Sequence, residues 1–152
     1  MSRTFEVSSE AEMAQFANAF AEACRGGILV ALSGTLGAGK TFFVREVASR
    51  LGADREVVLS PTFTLCNEYS STPKLYHLDL YRIRDEDEYY ELGVEEMCNA
   101  DSIVFIEWAD RFADALPPQR LNLHIDLISE TGRIVRLHAN GDSPEQVLNA
   151  IY

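Results

Sequence analysis

The chain has 152 residues, 47% of them apolar and 24% charged, which is the size and balance of one soluble globular domain spanning 1–152, and eight Phe and six Tyr exclude disorder as its global state. Thirteen Lys and Arg against 24 Asp and Glu leave a net charge of −11; that field repels phosphate backbones and argues against autonomous nucleic-acid binding, though not against a small anion held by local backbone N–H groups. Ile28–Leu32, the longest unbroken apolar run near the motifs, is far short of the roughly 20 residues a membrane helix needs.

The N-terminal stretch MSRTFEVSSEAEM carries no apolar signal core and no Arg-rich leader, and the three cysteines, Cys24, Cys66 and Cys98, form no Cys-x-x-Cys pair; a cytoplasmic protein without membrane association is expected. A first strand is predicted at Thr4–Val7. Ser9 with Glu12 reads as a capping box, and Met13, Phe16, Ala17, Phe20 and Ala23 follow at helical spacing. Gly26-Gly27 ends that helix. Ile28–Leu32 is a continuous apolar run, as in a strand buried on both faces. After a glycine-rich turn, a second helix is predicted from Lys40 to Leu51, stopped by Gly52.

Phe63–Tyr69 and Leu75–Tyr81 read as strands joined in a hairpin by Ser70-Ser71-Thr72-Pro73. The second places Asp79 on the same face as His77 and Tyr81 by two-residue alternation. Asp85–Leu92 is an acidic helix, and the charge density and tyrosine pair of the run Arg84–Glu91 make it a candidate partner-docking patch. Ile103–Ile106 is another fully apolar strand, ending at Glu107-Trp108. Leu121–Ile128 and Arg133–Ala139 read as a second hairpin. The last helix is predicted to open with Ser143 as cap and Pro144 at its first position. This order predicts an α/β fold of the P-loop NTPase type: a mixed, mainly parallel central sheet flanked by helices, with a C-terminal hairpin.

Gly34-Thr35-Leu36-Gly37-Ala38-Gly39-Lys40-Thr41 fits G-x-x-x-x-G-K-S/T. At average residue usage a chain of this length matches by chance on the order of one time in a few hundred, and the motif lies between a buried strand and a helix, as the chemistry needs. Glycines let the backbone approach phosphate oxygens, and the helix start offers unpaired N–H groups and its positive dipole end. Lys40 is placed to reach β- and γ-phosphates and the Thr41 hydroxyl to ligate Mg²⁺. Such a site needs a further acid from a neighbouring strand. Glu107, at the end of an apolar strand in the Walker B manner, and Asp79 are the two candidates. Trp108, beside Glu107, is either a core aromatic or a lid over the site. Thr62, in Ser60-Pro61-Thr62, is a candidate γ-phosphate sensor. His77, His124 and His138 show no metal-ligand spacing and read as strand residues.

Four blocks in order, GTLGAGKT, SPTFTLCNEY (Ser60–Tyr69), YHLDLYR (Tyr76–Arg82) and IEW (Ile106–Trp108), with ELG at Glu91–Gly93, resemble the TsaE (YjeE) family of small bacterial P-loop ATPases. The resemblance covers most of the chain; the C-terminal hairpin and helix carry no comparable motif. Thr35 and Phe42 stand where the family commonly has Asp and Thr. The resemblance implies ATP with Mg²⁺ on Gly34 and Gly37–Phe42, with Ser9 near the nucleotide, Glu107 and Asp79 near the metal and γ-phosphate, and Thr62 in a switch-like loop. It also implies a hydrolase accessory to tRNA threonylcarbamoyladenosine modification that binds and resets a TsaD–TsaB complex, meets tRNA only indirectly, and turns over slowly alone. The rival reading is a P-loop small-molecule or nucleotide kinase, which requires an acceptor pocket and an Arg-rich lid; Arg82, Arg84, Arg111 and Arg120 are scattered instead.

Overall fold

The computed structural model describes residues 1–35, 37–54 and 65–151. Thr62 and the rest of the predicted switch segment, with the start of the predicted Phe63–Tyr69 strand, lie outside these residues. Seven strands, β1 (Ser2–Val7), β2 (Ile28–Gly34), β3 (Cys66–Tyr69), β4 (Lys74–Asp79), β5 (Ser102–Glu107), β6 (Arg120–Leu127) and β7 (Arg133–Asn140), form one sheet in the order β1-β7-β6-β2-β5-β4-β3. The central pairs β6–β2, β2–β5 and β5–β4 are parallel, whereas β1–β7, β7–β6 and β4–β3 are antiparallel. The expected mixed, mainly parallel sheet is therefore present, and the C-terminal hairpin continues it through β6 rather than standing apart.

Helices cover both faces. On one, α1 (Glu10–Ala23), α2 (Lys40–Arg50) and α5 (Asp142–Ala150) pack on the inward residues of the strands, with Phe16, Phe20, Phe43 and Phe105 in mutual ring contact at 5.2–6.5 Å between centroids. On the other, α3 (Glu86–Glu91), α4 (Val94–Met97) and a short 3₁₀ helix (Ala109–Phe112) enclose a second cluster that includes Leu29, Val104, Ile106 and Tyr89. The run Ile28–Leu32 divides between the two clusters by alternation, Val30 and Leu32 to the first and Leu29 and Ala31 to the second. That division is why the strand is apolar throughout. Among the described residues no helix is long and apolar enough to cross a membrane.

Three local readings differ from the sequence. The last helix is capped by Gly141 and starts at Asp142, where the sequence predicts Ser143 as cap and Pro144 as the first position: Gly141, at φ +103°, turns the chain straight out of β7, and its carbonyl accepts the Glu145 N–H. Pro144 then falls within the first turn, where a missing N–H costs nothing. At the start of α1, Ser9 Oγ does accept the Glu12 N–H, but the Glu12 carboxylate reaches Ser8 rather than Ser9, and these bonds hold it below the usual carboxylate range. Strand β4 ends at Asp79, so Tyr81 is not on the strand face with His77; it is 57% exposed.

Candidate functional site

The parallel register sets the site. Glu107 is the residue paired with Leu32 of β2 on one side and with Asp79 of β4 on the other. All three strands run in the same direction, so their C-terminal ends share one edge of the sheet, the edge where open α/β sheets carry their ligands. There β2 leads through Ser33 and Gly34 into the glycine-rich loop. Asp79 and Glu107, only 4% and 6% exposed, line one cavity of about 490 Å³ with Gly34, Thr35, Gly37–Phe42 and Trp108.

Buried carboxylates need partners. Asp79 Oδ1 accepts the Tyr81 N–H at 2.8 Å, and Glu107 Oε2 meets His77 Nε2 at 2.8 Å. The Arg111 guanidinium donates to the Leu80 carbonyl at 2.9 Å and to that of Tyr81, pinning the segment after Asp79. Among the described residues no three His, Cys, Asp or Glu side chains converge on a metal-sized site. The side-chain oxygen donors at the cavity are instead the hydroxyls of Thr35 and Thr41 and two carboxylates. That set fits Mg²⁺, a hard cation usually held by one or two carboxylates plus substrate phosphates and water.

The loop is built for close backbone approach. Gly34 has φ +142°, and a Cβ there would lie 2.5 Å from the Ile125 carbonyl oxygen of β6; Gly37 and Gly39, at φ +81° and +106°, have open space where a Cβ would be and are required for conformation alone. The first bond of α2 is from the Phe43 N–H to Gly39, so the N–H groups of Lys40, Thr41 and Phe42 precede it at the open helix end. Lys40 Nζ donates back across the loop to the Gly34 carbonyl at 2.7 Å.

Beside the loop a second recess of about 320 Å³ runs between the start of α1 and the β6–β7 turn, lined by Ser9, Glu10, Met13, Gly37–Gly39, Phe42, Glu130, Thr131 and Arg133. Gly37–Gly39 and Phe42 line both spaces. The structure thus places with the loop both Phe42, which directly follows it, and Ser9, 25 residues before Gly34. Arg133, which the sequence does not single out, joins the hairpin to the loop: Nε donates to Ala38 O at 3.0 Å and Nη2 to Gly37 O at 3.4 Å, while Nη1 donates to the turn carbonyls of Ser129, Glu130 and Gly132.

Trp108 is not a core aromatic. At φ +62° its backbone turns the chain from β5 into the 3₁₀ helix, and its ring, 47% exposed, lines the cavity and packs at a tilt against Tyr81, 4.9 Å between centroids. His77 is fully buried against Glu107. His124, in contrast, bridges Ser33 and Asp126 on the sheet surface, and His138 joins Ser2 to Asn140. His77 and Arg133 are the site residues missed in the sequence. Two-residue alternation toward Asp79 was a signal for the first; the second had none, because its partners are 95 and 96 residues away.

The model of the family described as "Threonylcarbamoyl adenosine biosynthesis protein TsaE" matches residues 7–135. The tRNA threonylcarbamoyladenosine biosynthesis protein TsaE of Rickettsia prowazekii is 37% identical over 134 residues, 87% of this chain and 92% of that one. Its namesake in Bacillus subtilis is 36% identical over 146 residues, 95% and 89% of the two chains, and that of Haemophilus influenzae is 34% identical over 155 residues, 98% and 97%. The crystal structure of Bacillus subtilis YdiB superposes with a TM-score of 0.80 at 28% identity, covering 99% of this chain and 94% of YdiB.

Arg133→Ala removes the donors that hold Gly37 and Ala38. Nucleotide affinity measured by calorimetry is expected to fall by about tenfold, the worth of one to two lost hydrogen bonds. Affinity equal to that of the parent would show that the hairpin does not support the loop.

Proposed function

The chain belongs to the TsaE family, and on that premise we propose that it is a Mg²⁺-dependent ATPase serving tRNA threonylcarbamoyladenosine biosynthesis, acting on a TsaD–TsaB complex and meeting tRNA only through it. The observation that carries the ATPase reading is the level pairing of Asp79 with Glu107 beside the phosphate loop. The biosynthetic role rests on the family and on relatives that carry that name over most of both chains.

In this reading the triphosphate lies along Gly34 and Gly37–Thr41, with Lys40 leaving the Gly34 carbonyl to contact the β- and γ-phosphates. The recess of Ser9, Phe42 and Arg133 takes the nucleoside, with the Phe42 ring as its apolar wall. Mg²⁺ when bound offsets the charge of the β- and γ-phosphate oxygens, held by the Thr41 hydroxyl and by Glu107 and Asp79 directly or through water. The remaining carboxylate oxygens orient the water that attacks the γ-phosphorus as the bond to ADP breaks. Because the two carboxylates are nearly buried and already hydrogen-bonded in place, they act on the developing charge with little reorganisation of their own. Thr62 is assigned the γ-phosphate sensor role on its motif alone.

Three of the four arginines that a kinase lid would need are held elsewhere. Arg111 binds the Leu80 and Tyr81 carbonyls, Arg84 pairs with Glu88 at 3.0 Å, and Arg120 faces the Ala113 and Pro117 carbonyls. This favours hydrolysis on a protein partner over transfer to a small acceptor.

Asp79→Ala and Glu107→Ala are each expected to keep ATP binding within roughly tenfold while losing on the order of a hundredfold or more in hydrolysis, because their groups act mainly on transition-state charge. The fluorescence of Trp108, the single Trp, reports binding, and phosphate release with the partner complex reports turnover. Parent rates in both variants would place the acid function elsewhere.

The docking face is assigned to α3. Asp85 caps it by accepting the Glu88 N–H, while Glu86, Asp87 and the 55%-exposed Tyr90 face outward. Reversing the charges of Asp85, Glu86, Asp87 and Glu88 is expected to weaken binding to TsaD–TsaB, and by a larger factor at low salt than at high salt, since exposed charges are screened. Titration of the immobilised complex at two ionic strengths checks this; equal affinity would exclude α3 as the contact.

A further inference from the structure

We propose that His77 is a positioning residue for Glu107: its imidazole holds one carboxylate oxygen so that the other is presented to the metal and attacking water. The proposal rests on the reading of Glu107 as an acid of the hydrolytic site. His77 and Asp79 share a face of β4, and Asp79 is level with Glu107, so His77 is one alternation step back and reaches Glu107 diagonally across the β4–β5 pair. Nε2 lies 2.8 Å from Glu107 Oε2. A carboxylate only accepts, so the bond requires the hydrogen on Nε2.

The position is otherwise a core position. His77 is paired in register with Phe105, is fully buried, and follows Leu75 on the same strand face. Its Nδ1 has no hydrogen-bond partner among the described residues. An aliphatic side chain would bury here without leaving such an atom unpaired. Among the described residues the imidazole bonds only to Glu107, and Glu107 lines the cavity with Lys40 and Thr41. With Oε2 committed, Oε1 is left for the cavity and the carboxylate cannot rotate freely. Partners of this kind, behind a metal-binding group, set its orientation, and their loss typically weakens metal binding or activity by about 10–100-fold.

The test uses Mn²⁺ as the metal probe, read by electron paramagnetic resonance on the whole chain in the presence of ATP. His77→Leu is expected to weaken Mn²⁺ binding by about tenfold or more while metal-free ATP binding stays within about twofold. His77→Gln, which restores an N–H donor of similar reach, is expected to recover most of the loss, and Glu107→Gln to lose at least as much as His77→Leu. Parent Mn²⁺ affinity in His77→Leu together with a loss in Glu107→Gln would overturn the positioning role and leave Glu107 standing. Parent affinity in both would overturn the reading of Glu107 and the positioning role with it. Should His77→Leu fail to fold, ring-nitrogen resonances of the parent chain decide. A proton on Nε2 whose resonance shifts in Glu107→Gln supports the proposal, and a proton on Nδ1 alone overturns it.

Discussion

The parallel register of β2, β5 and β4 is the constraint on which the rest of the site depends. Because Leu32, Glu107 and Asp79 are level across three strands that run the same way, two carboxylates from distant parts of the chain arrive beside the loop that β2 enters. A one-residue slip of β5 would turn Glu107 to the opposite face, into the cluster that holds Val104 and Ile106. The apolar alternation that buries Phe105 on one face and Ile106 on the other therefore determines both the packing and the side of the sheet on which the acids appear. Core formation and site formation are one event here.

That arrangement carries a cost, since both carboxylates are nearly inaccessible and a buried charge is tolerated only with partners. The partners come from the same few elements: His77 on β4 for Glu107, and the Tyr81 N–H, in a turn braced by Arg111, for Asp79. The loop has its own brace in Arg133, which ties Gly37 and Ala38 to the β6–β7 turn. The C-terminal hairpin, which the family model reaches as far as residue 135, thereby braces the glycine-rich loop and forms one wall of the adjoining recess.

Much of this was legible in the sequence where the signal is local. The continuous apolar runs of β2 and β5, the glycine-rich loop before α2 and both hairpins follow from period and turn chemistry, and the structure has all of them. Features decided by a partner far along the chain were not legible. Arg133 has no local mark because its acceptors are loop carbonyls some 95 residues away. His77 was readable as a strand residue, but its bond to Glu107 depends on the β4–β5 register. The start of α5 precedes the Ser-Pro signal because Gly141, with a positive φ, turns the chain before it. Alternation carried past Asp79 places Tyr81 on the strand, whereas the chain bends there so that the Tyr81 N–H donates to the Asp79 carboxylate.

The most direct test of the account is phosphate release from ATP by the purified chain, followed with and without Mg²⁺ and with and without purified TsaD and TsaB. The account predicts slow, Mg²⁺-dependent release by the chain alone and a clear acceleration when the complex is added. No release under any of these conditions, or release unaffected by the complex, would contradict it.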